Sequence, residues 1–208
     1  MFLDVLGRSA DAGGLSHWST ALDNGVSRTI VADGLIDSDE YRAEVINDDY
    51  SRVFDGRSAD PGGLAFWTAY MRDGGTDEQV LANLISSPEY FADAGNNNQT
   101  FVSNVYRDLL DRASDPVGLN YWTAQLNHGT SRPTVVVRLL YSNEYRSDLL
   151  TGTGPPKPMV GIYPRYLHRP ADAGGVSYWV GQMAAGARDE AIVLNFVASP
   201  EYFNAAQG

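Results

Sequence analysis

"GRSADPGGLAFW", Gly56 to Trp67, decides the fold, because the chain writes it four times. Gly7 to Trp18 reads "GRSADAGGLSHW", Asp111 to Trp122 reads "DRASDPVGLNYW", and His168 to Trp179 reads "HRPADAGGVSYW". Anchoring on Trp18, Trp67, Trp122 and Trp179 brings further residues into register. An Arg stands ten residues before each Trp (Arg8, Arg57, Arg112, Arg169), and an Asp seven before it (Asp11, Asp60, Asp115, Asp172). A Gly stands four before it (Gly14, Gly63, Gly118, Gly175) and another seven after (Gly25, Gly74, Gly129, Gly186). Each unit ends on a Glu-Tyr pair that opens with Glu40, Glu89, Glu144 or Glu201. A catalytic site is usually built once, so four copies point first to architecture, a tandem array of related units.

The punctuation within each unit specifies helices. Asp60-Pro61 and Asp115-Pro116 set an N-cap acceptor before a proline at the first helical position. Leu15, Trp18 and Leu22 then form an i, i+3, i+7 stripe, repeated as Leu64/Trp67/Met71, Leu119/Trp122/Leu126 and Val176/Trp179/Met183. Gly25 and its equivalents stop this helix in a left-handed turn. Ser27, Thr76 and Ser131 cap a second helix with an apolar face such as Val80, Leu84 and Ile85; the fourth unit has Arg188 there, leaving Asp189 to cap. Ser87-Pro88 and Ser199-Pro200 open a short third helix with the Glu-Tyr pair. A leading helix precedes each Arg and ends at Gly7, Gly56, Asp111 or His168. No strand pattern appears. The class is all-α: four units of about three helices plus a short one, at residues 1–48, 49–97, 98–151 and 152–208, packed as one array or two lobes. "RAEVINDDYSRVF" joins units one and two as one helix, Thr100 caps the helix after "DAGNNNQT", and "TGTGPPKP" links units three and four.

Composition narrows the function. The chain has 208 residues, 43% hydrophobic and 20% charged, with a net charge of −11 and no cysteine. Excess negative charge and the lack of a basic run argue against nucleic acid, and no polybasic patch addresses a membrane surface. No apolar run approaches the ~20 residues that span a bilayer, so membrane insertion is not expected. Thiolate catalysis, thiolate metal sites and disulfides are excluded. Met1 is followed by "FLDVLGR", which reads as the end of a helix rather than a signal peptide. The first unit lacks its leading helical turns, which suggests a segment of a longer polypeptide.

The pattern "LGR…AD…GL…YW…L…G…S…S.EY" resembles the bacterial domain family DUF4214 across Phe2 to Phe203. The resemblance implies a helical accessory module of large secreted or cell-surface proteins, often beside calcium-binding or carbohydrate-active modules. It supplies no catalytic residues. A fainter similarity joins the chain to the helical linker domains of phycobilisomes, which the acidic charge disfavours.

The four Trp read as core packing rather than sugar platforms. The ring before each (His17, Phe66, Tyr121, Tyr178) lies about 100° around the helix, where it suits packing between units or stacking on a carbohydrate. Arg8, Arg57, Arg112 and Arg169 read as structural partners of Glu40, Glu89, Glu144 and Glu201; a fully buried pair would cost about 3–5 kcal/mol to break. Asp11, Asp60, Asp115 and Asp172 read as helix caps. Their loops offer one carboxylate each, where calcium needs six to eight oxygens. Asp33, Asp37, Asp39, Asp48 and Asp49 form an acidic face that offers at most a weak calcium site, and no other cofactor or metal is expected. The three His fall at different repeat positions, and no hydrolase or phosphate-loop motif occurs. The expectation is a non-catalytic interaction or anchoring module, extracellular or at the cell surface, with a protein or surface glycan as partner. A carbohydrate-binding module is the alternative, and an unrecognised hydrolase the third reading.

Overall fold

Local sequence sets the helix starts. Asp11, Asp60, Asp115 and Asp172 each adopt extended backbone and accept the N–H of Gly14, Gly63, Gly118 and Gly175 in turn. In the computed structural model, which describes residues 1–153 and 159–205, these caps open the four Trp helices. Gly25, Gly74, Gly129 and Gly186 follow their ends with positive φ. Fifteen helices are present and no strand, among the described residues.

Unit one holds α1 (Phe2–Leu6), the Trp helix α2 (Ala12–Asp23) and α3 (Arg28–Ile36). Its Glu-Tyr turn runs on without a break into the leading helix of unit two, as α4 (Asp39–Val53). The Trp helix α5 (Pro61–Arg72), α6 (Asp77–Ile85) and α7 (Pro88–Asp93) complete unit two. Unit three is α8 (Asn98–Leu110), α9 (Pro116–Asn127), α10 (Arg132–Leu140) and α11 (Asn143–Thr151). Unit four is α12 (Ile162–Leu167), α13 (Ala173–Ala184), α14 (Asp189–Val197) and α15 (Pro200–Ala205). Most of the linker "TGTGPPKP", Gly154 to Pro158, lies outside the described residues.

The apolar faces of the second helices drive assembly. Val80, Leu84 and Ile85 of α6 and Val135, Leu139 and Leu140 of α10 are buried, and these two helices pack on one another. In the same way Val31, Leu35 and Ile36 of α3 meet Ile192, Phe196 and Val197 of α14. Two hydrophobic cores result. One joins units two and three; the other joins units one and four. The chain therefore leaves one lobe after unit one, builds the second lobe, and returns. α4 and α11 contribute to both cores, and Val45 packs against both.

Some expectations need correction. The Trp rings are half-buried, leaning on the cores rather than lying inside them. Leu15 and Leu22 are exposed. At 1.5 Å rise per residue, the five residues of α1 cannot line the twelve of α2, whereas α4 and α8 run alongside α5 and α9. Asn97, not Thr100, caps α8, and its side chain accepts the Thr100 N–H. Unit two reverses through two left-handed residues, Asp55 as well as Gly56, where Gly7, Asp111 and His168 each suffice alone. Arg188 occupies the N-cap of α14 without a side-chain cap bond, and the Asp189 carboxylate accepts only the neighbouring Glu190 N–H.

Candidate functional site

Each Trp helix is seated on its leading helix by a ring over a glycine. A Cβ built on Gly63, Gly118 or Gly175 would lie 2.9, 2.4 or 1.9 Å from the hydroxyl oxygen of Tyr50, Tyr106 or Tyr163. On Gly14 it would meet the Phe2 ring at 3.2 Å. The repeated glycine is thus a socket for the ring of the preceding helix. Trp67 Nε1 donates to Tyr50 Oη at 3.3 Å, and Tyr106 and Tyr163 stand in the same relation to Trp122 and Trp179.

With the Trp anchored from below, its neighbour in sequence faces outward. His17, Phe66, Tyr121 and Tyr178 each meet the following Trp edge to face, with ring centroids 4.7–4.9 Å apart and interplanar angles of 73–77°. Phe66, Tyr121 and Tyr178 are 62%, 49% and 58% exposed, and His17 is exposed. Each ring rests on its own Trp.

The repeated charges lie on the surface too. Arg8, Arg112 and Arg169 reach Glu40, Glu144 and Glu201 through Nε, and Arg57 Nη1 donates to Glu89 at 2.6 Å. Each guanidinium also lies over a leading-helix ring, Phe2, Phe54, Tyr106 or Tyr163. The hydrogen bonds to glutamate raise all four Arg pKa values. These are pairs of roughly 40–50% exposed side chains, so the cost of breaking a buried pair does not apply. The cap carboxylates Asp11, Asp60, Asp115 and Asp172 are held below their usual range by the glycine N–H groups they accept.

One charge pattern escapes an alignment anchored on Trp. Counting two residues on from the socket ring of each leading helix gives Asp4, Arg52, Asp108 and Arg165. Acid and base alternate. Arg52 Nη2 donates to Leu109 O at 3.0 Å and its Nε to Asp108 O, while Arg165 Nε donates to Asp4 O at 3.0 Å. Tyr90 Oη donates to the Asp108 carboxylate at 2.7 Å, and Tyr202 Oη to that of Asp4 at 2.6 Å. Unit four therefore grips unit one as unit two grips unit three. The signal hides because unit two carries one extra residue before its Arg.

Between the lobes lies a cavity of about 640 Å³, walled by α4, α6, α11, α12 and α14. Asp49, Asp77 and Asp189 line it. Asp77 and Asp189 open α6 and α14, so the same position in units two and four faces the cavity. Asp49 is only 7% exposed. Burial pushes its carboxyl up to about 8, although a hydrogen bond with the Asp77 carboxyl and the charge of Arg52 draw it down. Burial likewise holds Asp77 and Asp189 well above the carboxylate range. Asp37 and Asp39 of the acidic face are taken up by Arg42 and Arg72. Among the described residues, no group of three or more acidic or histidine side chains is arranged to hold a metal ion. His17, His128 and His168 are exposed and lie outside the cavity wall.

A protein-family model described as "Domain of unknown function (DUF4214)" matches residues 1–45, 83–149 and 160–206. The chain belongs to the DUF4214 family. The matches cover units one, three and four and the end of unit two; the unmatched stretch holds the Trp helix of unit two, which repeats the same twelve-residue motif. The DUF4214 pattern is thus a structural one here: cap, socket glycine, half-buried Trp, surface Arg–Glu pair. No curated protein and no solved structure gives a match. No helix among the described residues is long and apolar enough to cross a membrane.

Proposed function

We propose that this DUF4214 chain is a non-catalytic interaction and anchoring module of a larger secreted or cell-surface bacterial protein. One observation carries the reading: the same exposed ring, propped on a half-buried Trp, recurs on all four units. Repetition of a surface feature fits multivalent attachment, where several weak contacts add avidity without any single strong site. Aromatic side chains supply large contact area at low entropy cost.

The flat, exposed faces of Phe66, Tyr121 and Tyr178 favour a surface glycan as the second reading, with a protein partner as the first. The test is a glycan-array screen of the intact chain, with and without calcium, beside Tyr121→Ala and Tyr178→Ala. Binding that both variants weaken while helicity is retained assigns the rings to a carbohydrate. Binding indifferent to them would remove the rings from the account. A folded chain that binds no glycan directs the search to protein partners, where the same variants apply.

A further inference from the structure

The cavity between the lobes belongs to none of these platforms, and its chemistry is unlike theirs. Its lining carries the buried acids Asp49, Asp77 and Asp189 beside the Asp48–Arg165 ion pair and Arg52. Both guanidinium groups are engaged with main-chain carbonyls of the neighbouring unit. Asp49 Oδ2 and Asp77 Oδ1 are fully removed from solvent, and no donor from outside the pair reaches them; the two carboxyls share a hydrogen bond with each other. Buried carboxylate oxygens without donors are costly, and native proteins satisfy them. The remaining wall is aliphatic, with Leu81, Leu149 and Val193 on three different helices, and the buried rings of Tyr41, Tyr145 and Tyr166 complete it.

We propose that this cavity binds a small organic ammonium ion, its charged head on the Asp49–Asp77 pair and its alkyl part against Leu81, Leu149 and Val193. An ammonium carries three donors and no acceptor, which matches a wall of acceptors lacking donors. Tyrosine faces also attract such cations. The volume lies in the range of small-molecule sites, roughly 300–1,000 Å³. A calcium ion fits less well, since it needs six to eight oxygens and the described acids do not converge on one point. Burial raises the Asp49 carboxyl to about 8 and so leaves it protonated at pH 7 in the free cavity; an entering cation displaces that proton to solvent.

Isothermal titration of the intact chain with butylammonium chloride tests this, run at pH 7 in two buffers of different ionisation enthalpy. The expected result is saturable single-site binding with proton release. Binding should weaken about tenfold or more, about 1.4 kcal/mol, in Asp49→Asn and in Asp77→Asn. Both variants replace a buried carboxyl with an amide of the same shape and should fold. Amide and methyl shifts at Leu81 and Val193 on titration should place the ligand in the cavity independently of any variant. Absence of saturable binding would overturn the proposal and leave Asp49 and Asp77 as a proton-sharing pair. So would wild-type affinity in both variants, or shifts confined to the exposed rings. Calcium chloride producing the cavity shifts where butylammonium does not would also overturn it, in favour of an inorganic site.

Discussion

A methyl group added at Gly118 would sit 2.4 Å from the Tyr106 hydroxyl oxygen, and Tyr106 is buried. Gly118→Ala should therefore destabilise the chain by about 1–3 kcal/mol, the range for forcing extra volume into a packed site. Adding Tyr106→Phe should recover part of that loss, because it removes the atom in collision. Urea unfolding of the single and double variants checks both expectations. Arg112→Leu should do much less. The Arg112–Glu144 pair is about 40% exposed on each side, so its loss should cost at most about 1 kcal/mol. The contrast shows what residue spacing can and cannot convey. The repeated glycine was visible at once. Its reason was not, because the ring that fills the socket lies twelve or thirteen residues earlier, on another helix. Recurrence is enough to pair each Arg with its Glu, but burial is a property of the assembled molecule, and these pairs lie at its surface.

Helix ends were the most legible elements, because caps are local chemistry. Every Asp or Ser expected at an N-cap from Asp11 to Asp172 accepts a main-chain N–H two or three residues on. At Thr76 the bond is reciprocal, since the Gln79 side chain returns to the Thr76 N–H at 3.0 Å. Thr76→Ala should cost about 1 kcal/mol and speed amide exchange in the first turn of α6, measurable by hydrogen exchange. The Trp helices were less legible. Their i, i+3, i+7 stripe suggested a buried face, yet only one flank touches a core, and in α2 even Leu15 and Leu22 stay exposed. Periodicity reports which side of a helix is apolar; it does not report whether a neighbour is long enough to cover it.

The pairing of unit one with unit four is a whole-molecule property, and sequence left it open between a single array and two lobes. The alternating Asp4, Arg52, Asp108 and Arg165 carry that information, masked by the extra residue in unit two. Closure also creates the buried acids, which fixes the pH response. The caps Asp11, Asp60, Asp115 and Asp172 have lowered folded pKa values. Their stabilisation is complete above about pH 4, the unfolded value, and is lost as pH falls below it. Asp49, Asp77 and Asp189 have raised ones, with Asp49 at about 8. The folded state then holds more protons than the unfolded one, so stability falls as pH rises from about 4 towards 8. Thermal unfolding should therefore peak near pH 4–5 (about the unfolded carboxylate value), and Asp49→Asn should flatten the alkaline limb. The cavity and the four ring platforms keep a fixed relation only if the chain closes on itself. A double-mutant cycle on Tyr202→Phe and Asp4→Ala, residues 198 apart and hydrogen-bonded at 2.6 Å, tests that closure most directly. The account predicts a coupling energy of about 0.5–3 kcal/mol in urea unfolding; additivity within about 0.3–0.5 kcal/mol would contradict it.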